Sequence, residues 1–292
     1  MNQQGTPTVH NEELQISQQV VGIPLNIGTG FEALSFKHDQ FDGLMDPLIM
    51  LDHYTMSAPT FGAHGHAGLS ALSILFEDSE GVFNNRDSLG NNLDLFPGDA
   101  YWLKAGSGAV HDEKPIEGSR THGLQLFVNL PQRHKHDAPA SLHVPSKAMP
   151  VITGEGHRVR VVLGESNGTV GAKSPALAFT ALDAYLDAEG AYTHEASSNQ
   201  SLVIYAVSGD LTISLAGQEV CLLEQRAIAI EVGATAQPLG FSCADKAHFV
   251  VLQGEPIRES FVQKGPFVMS NLDELNQVVA AYDDGLLGTI AE

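Results

Sequence analysis

Two short histidine-containing motifs constrain this chain more than any other feature of its sequence. His64-Gly65-His66 and His111-Asp112-Glu113 each place two metal-ligating side chains two residues apart. In a β-strand, alternate side chains point to the same face, so each motif would present its two ligating groups in one direction. If the two strands are neighbours, three imidazoles and one carboxylate would converge on a single point. The pattern therefore predicts a metal site that keeps open coordination positions for water or substrate.

The residues before the second motif favour this interpretation, since a single His-x-His is weak evidence in a chain with 13 histidines. Pro97-Gly98-Asp99 is typical of a tight turn between strands, because glycine readily adopts positive φ. Gly106 and Gly108 allow a bulge or a close backbone approach just before His111. A turn, a strand and a glycine kink would thus aim the second pair of ligands inwards.

The apolar pattern predicts an all-β protein with one helix. Short apolar runs bounded by turn residues indicate strands at 69–76, 124–130, 159–163, 202–207 and 248–252. Near the C-terminus, Asn271 can cap a helix, Glu274 can return the capping-box hydrogen bond, and Gly285 can end the helix. We expect the apolar stripe of this helix to pack on the folded core rather than on a partner protein.

Composition limits the classes of function. The length of 292 residues is sufficient for two domains with a core each. A formal charge of −20 repels phosphate backbones, so direct binding of nucleic acid is not expected. The sequence contains no membrane-spanning apolar run and no secretory signal, which predicts a cytoplasmic protein that does not bind membranes. Cys221 and Cys243 lack the neighbours of a redox or zinc motif, and we expect both to be buried free thiols.

Several segments of the chain resemble the pirin family in order and spacing. They are residues 46–52, the His64-Gly65-His66 motif, the block 97–113, and residues 123–130, 254–257 and 265–269. Pirins are two-domain cupins whose N-terminal barrel holds a non-haem metal, usually iron. The resemblance therefore implies two cupin domains in tandem, each an antiparallel jelly-roll-like β-barrel, followed by a short C-terminal helix. It assigns residues 1–135 to the metal-binding domain and residues 151–292 to a degenerate second cupin that includes the helix.

The resemblance also assigns the metal ligands by position. It implies that the ion is held by His64, His66, His111 and Glu113. The family favours Fe(II), whereas imidazole and carboxylate ligands by themselves also suit Zn, Ni, Cu and Mn. The second domain has no His-x-His or His-x-Glu between residues 151 and 254, so His194 and His248 are expected to be structural or surface histidines. His134 and His136 repeat the His-x-His spacing in a polar loop and are expected to lie on the surface.

Two functions follow from the same resemblance. Several pirins oxidise flavonols such as quercetin with dioxygen, which implies a metal-dependent dioxygenase in which Glu113 also accepts a proton. The alternative is a non-enzymatic iron-binding regulatory protein that acts through a protein partner, as one pirin does in transcription. A purely structural metal is a third hypothesis. One departure bears on the choice: pirins often have Arg and Glu where this chain has Ala67 and Ser70, which changes the residues around the ligands and the expected substrate preference.

Overall fold

The computed structural model describes residues 14–290 and confirms the all-β prediction. The first thirteen strands are β1 Gln15–Ile16, β2 Val20–Val21, β3 Ile23–Ile27, β4 Phe31–Lys37, β5 Leu48–Met56, β6 His64–His66, β7 Leu69–Leu75, β8 Phe83–Asp87, β9 Asn92–Leu95, β10 Ala100–Lys104, β11 Ala109–Pro115, β12 Thr121–Asn129 and β13 Ala140–Val144. Short 3-10 helices span His38–Gln40, Gln132–His134 and Ser146–Ala148.

The first domain is built from two antiparallel sheets. The larger sheet has the order β13-β10-β7-β12-β5-β4-β3, and the smaller one has the order β6-β11-β8-β9. Phe31 and Leu75 of the larger sheet share one apolar cluster with Phe83 and Leu95 of the smaller sheet. The two sheets thus face each other across a common core, as expected for a cupin barrel.

The second domain repeats this arrangement. Its strands are β14 Val151–Gly154, β15 His157–Leu163, β16 Glu165–Ser166, β17 Thr169–Val170, β18 Phe179–Leu186, β19 Ala191–Ala196, β20 Ser201–Ser208, β21 Leu211–Leu215, β22 Gln218–Leu222, β23 Arg226–Glu231, β24 Gln237–Ser242 and β25 Ala247–Gly254, and they are followed by β26 Val262–Lys264, β27 Phe267–Met269 and α1 Leu272–Asp283. The main sheet has the order β1-β23-β20-β25-β18-β15-β14, and the second has the order β19-β24-β21-β22. The five strands predicted from apolar runs correspond to β7, β12, β15, β20 and β25.

The two large sheets pack on each other between the domains. One continuous apolar cluster includes Trp102 of β10 and Leu126 of β12 together with Phe179 of β18 and Leu252 of β25. The rings of Trp102 and Phe179 meet edge-on, with their centroids 5.5 Å apart. Since neither sheet face is left to solvent there, both sides of these strands are buried and their sequences are almost continuously apolar.

The ends of the described chain cross between the domains. β1 and β2 pair with β23 in the main sheet of the second domain. Conversely, Phe267 of β27 and Leu275 of α1 pack against Ala67 of the first domain. Because each end of the described chain packs on the other domain, the domain limits 1–135 and 151–292 remain a prediction from the sequence.

The predicted C-terminal helix is confirmed, and it packs on the first domain. The Asn271 side chain accepts a hydrogen bond of 2.9 Å from the Glu274 backbone N–H. The return bond differs from the expected capping box, because the Glu274 carboxylate accepts from the N–H of Ser270 at 3.2 Å rather than from that of Asn271. Gly285 follows the helix with φ +72, as expected for a terminating glycine.

The cysteine prediction is half right. Cys243 is buried, whereas Cys221 is exposed because alternate residues of β22 face solvent. None of the helices within residues 14–290 has the length and apolar character needed to cross a membrane. The cytoplasmic location stays a prediction from the sequence.

Candidate metal centre

The two histidine motifs lie on neighbouring strands, which is the condition that the sequence set for their side chains to converge. β6 and β11 pair antiparallel, with His64 opposite His111 and Gly65 opposite Val110. The Nε2 atom of His111 lies 2.9 Å from Nε2 of His66 and 3.2 Å from Nε2 of His64. A ligating nitrogen from each of the three histidines falls within 4.8 Å of the others, so the imidazoles converge on one point.

The electrostatic environment suits metal binding. Burial lowers the pKa of His66 well below its usual value, with His111 and His64 acting in the same direction. Burial also lowers the pKa of His111 to about 4, and it lowers the pKa of His64. Neutral imidazoles carry free lone pairs, yet three Nε2 atoms that face one another cannot all be satisfied by mutual hydrogen bonds. A divalent cation at their meeting point fits this donor set.

Glu113 lies beside the three histidines and not within their cluster. Its Oε1 is 2.8 Å from the Ser73 hydroxyl, and its Oε2 is 3.9 Å from Nδ1 of His111. Burial raises the pKa of Glu113 to about 7 against the opposing effect of Ser73. A cation bound by the imidazoles would favour the ionised carboxylate, as ions do for neighbouring acidic groups. The role of Glu113 as a fourth ligand stays a prediction.

The glycines before β11 have the close contacts that the sequence predicted. Gly98 has φ +84 in the turn between β9 and β10. Gly106 has φ +53, and a Cβ there would lie 2.2 Å from the Asp137 carbonyl oxygen. A Cβ on Gly108 would lie 2.5 Å from the Leu287 side chain. These positions let the backbone pass close to its neighbours on the way to His111.

The C-terminal segment supplies one wall of the site. The Val268 N–H donates to the Ala67 carbonyl at 3.0 Å, one residue after the ligand strand β6. Lys135 fixes this contact, because its ammonium group donates to the carbonyls of Gly68 and Val268 at 2.9 Å each. Lys135 is only 1% exposed, although the polar sequence around it gave no sign of burial. Neither the burial of Lys135 nor the return of residues 262–269 to the first domain was predicted from the sequence.

The helix α1 closes the outer side of the ligand strand. A Cβ on Gly65 would lie 2.6 Å from the Tyr282 ring, and the ring of Tyr282 lies 5.4 Å from that of Phe267. The glycine between the two histidines is therefore required by a close approach of the C-terminal helix.

The imidazoles and Glu113 line a cavity of about 370 Å³. Much of its lining is apolar and includes Phe31, Met50, Tyr54 and Phe127. Three polar residues of the larger sheet, Lys37, Asp52 and Gln125, also line it, and none of them was predicted from the sequence to lie at the site. A cavity of this size and lining suits a small aromatic ligand.

The two residues that depart from the family pattern lie away from the cavity lining. Ala67 and Ser70 are both completely buried, and Ala67 contacts the C-terminal segment. Beyond the proposed ligands, the residues that line the cavity come instead from β3, β4, β5, β8 and β12, from Phe61, and from the segment that includes Gly265 and Pro266.

The other histidines singled out in the sequence are elsewhere. His194 is buried, with Nδ1 2.7 Å from the Ser166 hydroxyl and Nε2 3.0 Å from the Gln253 amide oxygen. His248 is hydrogen-bonded to Asp183 at 2.6 Å. The side chains of His134 and His136 are 40% and 61% exposed. Between residues 14 and 290, the three-histidine cluster is the one group of ligating side chains that meets the geometry of a metal site.

Comparison with known proteins agrees with this geometry. The family model described as Pirin matches residues 32–128, and the model of the Pirin C-terminal cupin domain matches residues 181–288. Pirin of Rattus norvegicus is 32% identical over 240 residues, which cover 81% of this chain and 80% of the rat protein. A putative quercetin 2,3-dioxygenase of Pseudomonas aeruginosa is 30% identical and covers 83% of this chain, with 87% of its own length matched. The crystal structure of quercetin 2,3-dioxygenase from Acinetobacter baumannii has the same fold, with a TM-score of 0.81 at 23% identity over 95% of this chain and 98% of that one. With matches of this extent in both halves, the chain belongs to the pirin family of two-domain cupins.

Proposed function

We propose that this protein is a metal-dependent dioxygenase that acts on flavonol-like substrates. The observation that carries the proposal is the convergence of three neutral imidazoles on the wall of a largely apolar cavity of about 370 Å³. The putative quercetin 2,3-dioxygenase of Pseudomonas aeruginosa, at 30% identity, supports the type of reaction.

The metal would be held by the Nε2 atoms of His64, His66 and His111, with Glu113 as the fourth ligand. Fe(II) is the ion we propose, and the same donor atoms also suit Zn, Ni, Cu and Mn. A bound divalent ion acts as a Lewis acid and lowers the pKa of a substrate hydroxyl that contacts it.

Glu113 is the residue that we propose as the proton acceptor. Its carboxylate is buried beside the imidazoles, where a bound cation would keep it ionised and thus able to accept a proton. Because we also propose Glu113 as a metal ligand, it can accept that proton only when it is released from the metal. The Ser73 hydroxyl lies 2.8 Å from both Glu113 Oε1 and Gln125 Oε1, and it has one proton to donate. When Glu113 is ionised, the Ser73 hydroxyl can donate to its carboxylate and so fix its position. When Glu113 is protonated, its own O–H can donate to the Ser73 hydroxyl, which can then donate to Gln125.

The remaining lining orients the ligand and excludes water. Phe127 packs edge-on against His66, with the ring centroids 5.2 Å apart, and Phe31 stacks near Tyr54 at 5.7 Å. A planar aromatic substrate can lie between such side chains with its oxygen atoms directed towards the imidazoles.

Metal analysis and oxygen uptake test this proposal. The purified protein should contain about one first-row metal ion per chain, and the double variant His64→Ala/His111→Ala should contain none. The exposed residue pair His134→Ala/His136→Ala is the matched control and should retain the metal. Full occupancy in the His64→Ala/His111→Ala variant would refute the ligand assignment.

Activity is measured as oxygen consumption by the iron-loaded protein with quercetin, compared with the metal-free protein. Glu113→Gln should lower turnover per metal bound by about 10²–10⁴-fold, the range typical of a lost general base. If the iron-, nickel-, copper- and manganese-loaded forms all fail to consume oxygen with flavonols, the enzymatic proposal is wrong and the regulatory hypothesis replaces it.

A further inference from the structure

Asp52 is a buried carboxylate in the wall of the cavity that the metal site does not use. It lies on β5, where it pairs in register with Gln125 of β12 on one side and with Ser35 of β4 on the other. The residue is 7% exposed and lines the cavity. Its Oδ1 atom is buried and has no hydrogen-bond partner within residues 14–290. A buried acceptor without a donor is unfavourable, so the fold gains nothing from this oxygen.

The charge of this group makes the arrangement more unusual. Burial raises the pKa of Asp52 to about 6, while the Ser35 hydroxyl and the Lys37 ammonium group act in the opposite direction. At neutral pH the carboxylate is therefore mostly ionised, although it is buried and one of its oxygens is unpartnered. An ionised carboxylate with an unpartnered oxygen in a cavity of this size indicates that a bound ligand supplies the missing hydrogen-bond donor.

The position of Asp52 relative to the metal site follows from the sheet register. Ser73, which contacts Glu113, pairs with Gln125, and Gln125 pairs with Asp52. Ser73 and Asp52 are thus two strand intervals apart, or about 10 Å at the usual spacing of neighbouring strands. The cavity has a metal end at the imidazoles and Glu113, and a remote end at Asp52, with the Gln125 side chain between them.

We propose that Asp52 is a second polar subsite, which accepts a hydrogen bond from a hydroxyl group at the end of an aromatic ligand remote from the metal. The inference rests on the proposed function and narrows its substrate class to polyhydroxylated aromatics. The donor is a hydroxyl rather than an ammonium group, because Lys37 lines the same cavity and repels a cationic ligand. A ligand with a negative group at this end is excluded by the charge of Asp52 itself.

Binding of two flavonols under anaerobic conditions tests the subsite without turnover. Quercetin carries hydroxyls on both of its outer rings, whereas 3-hydroxyflavone keeps the metal-binding 3-hydroxy-4-keto group and lacks every other hydroxyl. The nickel-loaded protein should bind quercetin at least about tenfold more tightly than 3-hydroxyflavone, since a hydrogen bond to a charged acceptor is worth about that factor or more. In Asp52→Ala this preference should fall to within about threefold, while the affinity for 3-hydroxyflavone stays unchanged. Asp52→Asn, which keeps a neutral acceptor, should give an intermediate preference.

Asp39→Ala is the control for loss of one negative charge, because Asp39 is exposed near Lys37 outside this cavity. It should leave both affinities unchanged. An unchanged preference in Asp52→Ala, with nickel content and circular dichroism intact, would overturn the subsite but not the flavonol assignment. Equal losses for both flavonols would also overturn it, because they would make Asp52 a structural residue. If the unsubstituted protein binds neither flavonol, the flavonol assignment fails and the subsite fails with it.

Discussion

Replacing Arg160 with methionine should lower the free energy of unfolding by about 3–5 kcal/mol, the usual cost of removing one partner from a buried ion pair. The side chains of Arg160 and Asp183 are 1% and 0% exposed, and their Nε and Oδ2 atoms are 2.8 Å apart. Arg160 Nη1 also donates to the Gly98 carbonyl at 2.8 Å, which joins the second domain to the turn that precedes β10. Methionine can fill a similar volume, but it leaves the Asp183 carboxylate buried with His248 as its remaining close partner.

A matched control lies two residues earlier on the same strand. Arg158 forms an ion pair with Glu77, and their side chains are 41% and 34% exposed. Because solvent screens such a pair, Arg158→Met should cost less than about 1 kcal/mol. Urea unfolding followed by circular dichroism and tryptophan fluorescence measures both variants. A loss below 1 kcal/mol for Arg160→Met, or one equal to that of Arg158→Met, would refute the argument.

The pH dependence provides an independent test of the same ion pair. Burial acts to raise the pKa of Asp183, but the charges of His248 and Arg160 outweigh it and hold the pKa at about 2. A carboxyl group whose pKa is lowered by folding stabilises the fold at pH values above its pKa in the unfolded chain, which is near 4. That contribution is lost as the pH falls towards its pKa in the folded protein, about 2. Arg160→Met removes one of the two charges that oppose burial, so the pKa of Asp183 should rise above that in the unsubstituted protein. The difference in the free energy of unfolding between the two proteins should therefore grow as the pH rises from 2 to 5, which unfolding curves across this range measure.

Three further predictions concern the site and its surroundings. Asp52→Asn should raise the free energy of unfolding at pH 7 by up to about 3 kcal/mol, since the raised pKa of Asp52, about 6, means that folding disfavours its charge. This gain should shrink as the pH falls from 6 to 4 and the unsubstituted carboxylate is protonated, which urea unfolding at pH 7 and pH 4.5 measures. Gly65→Ala should reduce the metal bound per chain, because its Cβ would lie 2.6 Å from the Tyr282 ring, and adding Tyr282→Ala should restore the metal; failure of this rescue would refute the steric explanation. His194→Gln should leave the metal content unchanged, since His194 contacts Ser166 and Gln253; loss of metal with an intact circular dichroism spectrum would place a ligand in the second domain.

The sequence predicted the cluster of His64, His66 and His111 because its geometry is local. Alternation along a strand puts His64 with His66 on one face, and the same rule puts His111 with Glu113 on one face. The neighbouring arrangement of β6 and β11 then brings three imidazoles together without any further information. The strands were predicted for a similar reason, because turn residues bound short apolar runs on each side.

Residues whose role depends on distant contacts could not be predicted in this way. Lys135 lies in a polar run that is typical of a surface loop, and only the fold brings its ammonium group to the carbonyl of Val268, more than a hundred residues later. Asp52 lies in β5, where both faces of the strand are largely buried, so alternation does not distinguish the side that faces the cavity. The sequence predicted that the apolar stripe of the C-terminal helix packs on the core, but it does not say that Tyr282 of this helix meets Gly65.

The return of residues 262–269 to the first domain sets an order of events during synthesis. Glu113, the last proposed ligand in the chain, leaves the ribosome about 150 residues before Pro266, which lines the same cavity. At about 5–20 residues per second, the nascent first domain would hold its imidazoles without that wall for about 8–30 seconds. A chain that stalls or is cut in the second domain would keep all the proposed ligands yet lack one side of its cavity. Translation to at least Met269 is thus a condition for a complete cavity wall beside the proposed ligands.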